Sequence, residues 1–374
     1  MARSPTAPLV GSASEVHVAV GGDGTVALVW RRAHEGQTFI EASVREPDGR
    51  WWDEPHPLSF PPDGGEPDVA LGADGEILVA WNQWTSSNYG VAVARRRAGE
   101  VDFERPRDPF DLVSPLVEFS NDPEVVINAR GDAIIAWYQS LGEELITLIS
   151  ERHGRTGTFT KGSLETSLSP AGDPVEDPVV DLADDGRAAV AWRQEVGEQA
   201  AVFLAERDAA GVWTAPASPD ESFSIVADEV WDVQVALADD GSLYLVWEEG
   251  NGGEVAVMAA HRDPSGRWLA SGRQPIRLSS STVSAIDPVL ALGRDGHVVA
   301  AWTELTRPEW RVVARRTALG VTSTEEELRW SPPEELSVQG EGDATDVALA
   351  VGGHHDRVAL VFVQGGRMQL ATLD

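Results

Sequence analysis

Apolar and polar residues alternate along most of the chain, and the alternation is interrupted at regular places. From Glu66 to Trp81, EPDVALGADGEILVAW, an alternating run leads into Asp74-Gly75 and a second run continues to the tryptophan. Successive side chains of an extended strand point to opposite faces, so the pattern predicts two strands joined by a tight turn. The module recurs with its closing aromatic at Trp30, Trp81, Trp137, Trp192, Trp247, Trp302 and Phe362, at intervals of 51, 56, 55, 55, 55 and 60 residues. Asp-Gly stands six to seven residues before the aromatic at 23–24, 74–75, 185–186, 240–241 and 295–296. Arg130-Gly131 and His355-Asp356 hold that place in the third and seventh modules. Such pairs fit a two-residue hairpin turn with positive φ.

A third run follows each aromatic, as in Gly90 to Arg97 and Glu254 to His261. A fourth has an aromatic start and a proline-rich end, as in WDEPHPLS from Trp52, WTAPAS from Trp213 and WSPPEELS from Trp330. Proline cannot donate to a strand ladder, which sends this run to an edge. Four strands per unit at a period near 50 predict a seven-bladed β-propeller, all-β, with four-stranded antiparallel blades. The blades fall at about 15–60, 64–114, 120–170, 174–226, 229–280, 283–338 and 342–374, a single domain over 1–374. The seventh unit ends after three runs. Ser4 to Gly11 reads like Ser331 to Val338, so residues 1–14 are expected to supply the outer strand of blade 7 and close the ring.

Charge narrows the partners. The chain has 29 Lys and Arg against 61 Asp and Glu, a net charge of −32, and Lys161 is its only lysine. A surface with so few clustered cations repels nucleic acid. No apolar run reaches the roughly 18 residues of a membrane span, and MARSPTAPLVGSASEV lacks the apolar segment of an export signal. The expectation is a cytoplasmic chain with no membrane partner. With no cysteine, disulfides, thiolate metal sites and a cysteine nucleophile are excluded.

The unit Asp-Pro-Val through Gly to Trp, complete at Asp177 to Trp192 and Asp287 to Trp302, resembles the β-propeller repeat proteins of actinobacteria and myxobacteria. The resemblance spans nearly the whole chain and implies the propeller fold. In layout the chain is also similar to sialidase propellers, but their Ser-x-Asp-x-Gly-x-Thr-Trp box is absent.

Three sets of residues are candidates for binding. Fifteen residues before each aromatic, or sixteen in the last unit, stands a carboxylate: Glu15, Glu66, Asp122, Asp177, Asp232, Asp287 and Asp346. Each precedes the innermost strand, so together they are expected to ring one mouth of the channel. Like charges there need backbone N–H donors, a cation or a basic partner to offset them. Two residues after the aromatic come Arg32, Gln83, Gln139, Gln194, Glu249, Glu304 and Gln364, expected on the same rim. Loops add Trp84 and Tyr89 in NQWTSSNYG and Trp310 in TRPEWR. An exposed aromatic beside amides suits a sugar or a peptide.

No nucleophile elbow, zinc-protease, P-loop or EF-hand pattern occurs, so no catalytic residue, cofactor or metal is assigned. The expected role is a non-catalytic binding or assembly module, recognising a protein segment of basic character or a glycan on the acidic channel face. The alternative is a carbohydrate-active enzyme, glycoside hydrolase or polysaccharide lyase, that uses rim carboxylates as acid and base.

Overall fold

The computed structural model describes residues 12–373 apart from 53, 62, 143, 171–172, 269–274, 294–296, 318–329, 353–356 and 365–366. Contacts divide the chain into two units, Met1–Gly186 and Arg187–Asp374. Every long element described is a strand, and the helical residues are three single 3-10 turns.

The first unit holds three antiparallel sheets in succession. They are Ser12–Val20, Val26–His34 and Gln37–Arg45 with a two-residue edge at His56–Pro57; Gly64–Leu71, Ile77–Trp84 and Tyr89–Arg96; and Ser120–Ile127, Ala133–Leu141 and Glu144–Arg152. Strand Val175–Leu182 follows. The second unit opens with Ala188–Val196, Gln199–Arg207 and Trp213–Thr214. Two four-stranded sheets come next, Glu229–Leu237 to Ile276–Arg277 and Ala285–Leu292 to Glu334–Glu335. Ala344–Gly352, Arg357–Gln364 and Arg367–Leu373 complete it. Of the closing strand expected from residues 1–14, residues 1–11 lie outside the described residues, while Ser12, Ala13 and Ser14 pair instead with Ala33, Arg32 and Arg31 in the first sheet. The turns at 295–296 and 355–356 also lie outside the described residues.

The turns differ from the expected two-residue form. Among the described residues of these turns only the glycine has positive φ, for example 91° at Gly24 and 89° at Gly75. The aspartate before it accepts the N–H two residues on, Asp23 from Thr25 at 2.9 Å and Asp240 from Ser242 at 2.8 Å. A type I turn closed by a left-handed glycine is the longer member of the hairpin family, and Asp suits it because its carboxylate caps the turn.

The repeated aromatics form the core. Trp30, Trp81, Trp137, Trp192, Trp247 and Trp302 are fully buried, with Phe362 alongside them in the buried set. Trp81 packs with Ile40, Val44 and Leu58 of the sheet before it, and Trp137 with Leu78 and Val91, so these two indoles are wedges between consecutive sheets of the first unit.

The fourth strand shrinks to two residues, or to a single bridge such as Arg95 with Glu104, because Pro106, Pro109 and Pro115 remove donors along that stretch. A latch replaces it. An apolar residue followed by serine docks on the third strand: Leu58 N–H donates to Ile40 O at 2.8 Å and Ser59 Oγ accepts Ile40 N–H at 2.9 Å. Val113-Ser114, Leu168-Ser169, Phe223-Ser224, Leu278-Ser279 and Leu336-Ser337 repeat both bonds. The serine hydroxyl satisfies a buried N–H that a ladder partner would otherwise take.

Candidate active site

The carboxylate set has an unusual backbone. Glu15, Glu66, Asp122, Asp177, Asp232 and Asp287 all have φ between 48° and 54°. In the five described pairings the strand register slips there, as between Ser14 and His17, Gly65 and Asp68, and Asn121 and Glu124. The carboxylate in each of these five pairings therefore occupies a β-bulge in the left-handed region, which a side chain other than glycine adopts at a cost and which re-aims it out of the regular pleat. The side chain of Asp346 lies outside the described residues, although the slip between Thr345 and Ala348 repeats the pattern.

In the first unit these residues form a chain of donors and acceptors. Glu15 Oε2 accepts the N–H of Glu66 at 2.8 Å, and Glu66 Oε2 accepts the N–H of Asp122 at 2.9 Å. Arg31 Nη1 donates to Glu15 Oε1 at 2.7 Å. Asn82 donates to both Glu66 and Asn121, and Asn121 donates to the Tyr138 hydroxyl at 3.0 Å. Burial, then the charges of Glu66 and Asp177 and a hydrogen bond to Glu66, push the Asp122 carboxyl up to about 8. Asp122 and Glu66 thus hold one proton between them at neutral pH, because two carboxylates in contact cannot both ionise cheaply. Burial and the same anions push Tyr138 up to about 12, which keeps its hydroxyl protonated.

Sequence reasoning missed the residues that set these repeats apart. Two positions beyond the bulge carboxylate stand His17, Asp68 and Glu124 in the first three repeats, against Val179, Gln234, Val289 and Ala348 in the others. His17 Nδ1 lies 3.4 Å from Asp68, whose other oxygen accepts the Val125 N–H at 2.8 Å. Burial alone would lower the His17 pKa, but Asp68 and Glu15 outweigh it and raise it. Glu124 accepts the Val180 N–H at 2.6 Å, and burial followed by Asp68 raises its pKa well above the usual carboxylate value. One position after the aromatic stand Arg31, Asn82, Tyr138, Arg193, Glu248, Thr303 and Val363, a column in which only Arg occurs twice. Comparing both columns across the repeats carries the signal that the shared motif conceals.

A cavity of about 700 Å³ adjoins this network, lined among others by Glu15, Arg31, Glu66, Asn82, Glu118 and Asn121. Trp84 and Tyr89, which end and begin their strands, also line it, with ring centroids 5.0 Å apart. Two of the three sequence-predicted sets thus meet here in Glu15, Glu66, Trp84 and Tyr89. Gln83 and Gln139 do not reach the cavity lining: both are buried, accept the indole N–H of Trp81 and Trp137 at 3.0 and 3.4 Å, and donate to loop carbonyls. Gln194 likewise accepts from Trp192 at 3.1 Å. Trp310 sits at the start of Glu309–Arg316 in the second unit, its N–H on Asp343 at 2.9 Å.

In the second unit Asp232, Glu248 and Asp287 each place a carboxylate oxygen within 4.8 Å of the others. Burial and a hydrogen bond to Asp232 push Glu248 up to about 8, so the Glu248 carboxyl keeps its proton at neutral pH. The same oxygens are of the hard type that a divalent cation takes.

No protein-family profile and no curated protein sequence matches the chain. Solved structures do. The polysaccharide lyase Uly1 superposes with a TM-score of 0.60 at 11% identity, covering 96% of this chain and 90% of that one. A PL25 ulvan lyase, bound to -[GlcA(1-4)Rha3S]-, gives 0.60 at 9% identity over 96% and 93%. A Dyadobacter fermentans protein of unknown function gives 0.50 at 15% identity over 78% and 90%. At such identities the likeness is one of fold, all-β, antiparallel and propeller-like. The expected non-catalytic binding or assembly module is set aside here: Uly1 and the ulvan lyase, each superposing over 96% of this chain, are polysaccharide lyases, and they favour the carbohydrate-active alternative.

Proposed function

We propose that the chain is a carbohydrate-active enzyme of the lyase type, cleaving a uronate-containing glycan by β-elimination at the cavity of the first unit. The observation that carries this reading is the neutral carboxyl of Asp122, pushed up to about 8 beside Glu66, which itself lines the cavity together with Asn82, Asn121 and Arg31. Elimination needs donors around the uronate carboxylate, where charge builds as the proton on the adjacent carbon leaves. Amides, a guanidinium and a protonated carboxyl are such donors, and an acid kept neutral by its surroundings stabilises a developing enolate by hydrogen bonding.

In this mechanism the Glu66 carboxylate takes the proton and the electron pair forms the carbon–carbon double bond. The glycosidic carbon–oxygen bond breaks, and Tyr138 supplies a proton to the departing oxygen. Tyr138 suits that role because its raised pKa keeps the hydroxyl protonated. Transfer of the proton from Glu66 back to Tyr138 restores the site. Trp84 and Tyr89 offer ring faces to the sugar. Hydrolysis by Glu66 and Asp122 fits less well: a glycosidase pair stands about 5 to 9.5 Å apart, whereas these two are in hydrogen-bond contact.

The superposition on two polysaccharide lyases supports the glycan reading. We further propose that the repeats make seven four-stranded blades, the last completed by residues 1–11. The test of function is the ultraviolet absorbance of unsaturated uronate, read across a panel of uronate glycans. Glu66→Gln should lower the rate by roughly 10² to 10⁴ with the fold intact. Unchanged turnover in Glu66→Gln would remove Glu66 from the mechanism.

A further inference from the structure

We infer that the uronate glycan accepted here is unsulfated, its uronates separated by neutral or amino sugars, and that sulfate esters exclude a chain from the site. This rests on the glycan-cleaving reading above and adds the charge pattern of the substrate. The cavity lining carries three carboxyl side chains, Glu15, Glu66 and Glu118, and one cation, Arg31. Arg31 is already engaged by Glu15 at 2.7 Å. The nearby imidazole of His17 is engaged by Asp68 at 3.4 Å. Among the described lining residues there is no second cation.

Carboxylate and sulfate fare differently on such a wall. A single uronate carboxylate can be met by neutral amide donors, Asn121, which gives one hydrogen to Tyr138, and Asn82, in exchange for its bonds to Glu66 and Asn121, at no cost in additional charge. A sulfate ester stays ionised throughout the working pH range and calls for arginine or lysine. Glu118 supplies the repulsive element. Its carboxylate is fixed by Ser140 Oγ and Gly142 N–H, both at 2.8 Å, so it cannot easily swing away from an incoming anion. Specificity then comes from rejecting the wrong chain as well as from holding the right one.

The experiment compares unsulfated chondroitin with the same polymer carrying sulfate esters, using the full chain. Binding is read by tryptophan fluorescence and by calorimetry, and cleavage by the absorbance of unsaturated uronate. At low salt the unsulfated polymer should bind at least ~tenfold more tightly, as one uncompensated like-charge contact requires. The gap should narrow as salt is raised. Glu118→Gln should narrow it at low salt, whereas Trp84→Ala should weaken both polymers alike. Equal or tighter binding of the sulfated polymer overturns the inference while leaving the lyase reading standing if either polymer is cleaved. Preferential binding of the unsulfated polymer with cleavage of neither upholds the charge selectivity and overturns the lyase reading. Binding of neither polymer overturns both.

Discussion

Replacing Asp122 by asparagine should stabilise the protein at alkaline pH and leave it nearly unchanged near pH 4. Asp122 is half-buried in a left-handed bulge with φ 48°, a conformation that asparagine tolerates, so the substitution removes the ionisable group with little backbone cost. The folded pKa is about 8 against 3.8 for the free side chain, so the folded state binds the proton more tightly than the unfolded one. Stability is therefore full below about pH 4, falls as pH rises through the interval, and levels off above about 8. An isolated group would lose about 1.4 kcal/mol per pH unit. Sharing the proton with Glu66 and partial access to water reduce the total to ~2 kcal/mol. For a folding unit of this size that corresponds to ~4–8 °C in Tm. Thermal melts followed by circular dichroism from pH 4 to 9 measure it. A Tm difference between variant and parent that does not grow with pH would refute the shared proton.

Three further outcomes are expected. Trp137→Ala should cost ~3–5 kcal/mol, since the fully buried indole fills the gap between two sheets and lies so close to Gly162 that an added Cβ there would come within 2.5 Å of the ring; denaturant titration reads the loss. Ser114→Ala should cost ~1–3 kcal/mol by leaving the Val91 N–H, now bonded to Ser114 Oγ at 2.9 Å, buried without that acceptor, and hydrogen exchange at Val91 should speed up. His261 stacks on Tyr244 at 4.2 Å and burial pushes its pKa down to about 4; the unfolded chain then binds the extra proton, so stability is lost as pH falls from about 6.5 to 4. His261→Phe should flatten that acid limb of the Tm profile.

The strands, hairpins and buried tryptophans were legible in the chain because each is a local or periodic property. A period of two, a glycine six residues before an aromatic and a proline-rich edge act through the backbone of the residues that carry them. The seven carboxylates were legible as a column, but their bulge was not. A left-handed glutamate or aspartate reflects a register slip forced by pairing with a second strand, and no residue at 15, 66 or 122 announces it. The amides at 83 and 139 were read as rim groups. The fold instead turns them to the indoles two residues back, because a buried N–H must find an acceptor. His17, Asp68, Glu124 and Tyr138 were visible as letters, and what makes them a site is proximity between repeats about 50 residues apart. Only the tertiary structure brings Glu66 against Asp122, and the shared proton follows from that contact, since charge repulsion and desolvation depend on distance in space and are indifferent to distance along the chain.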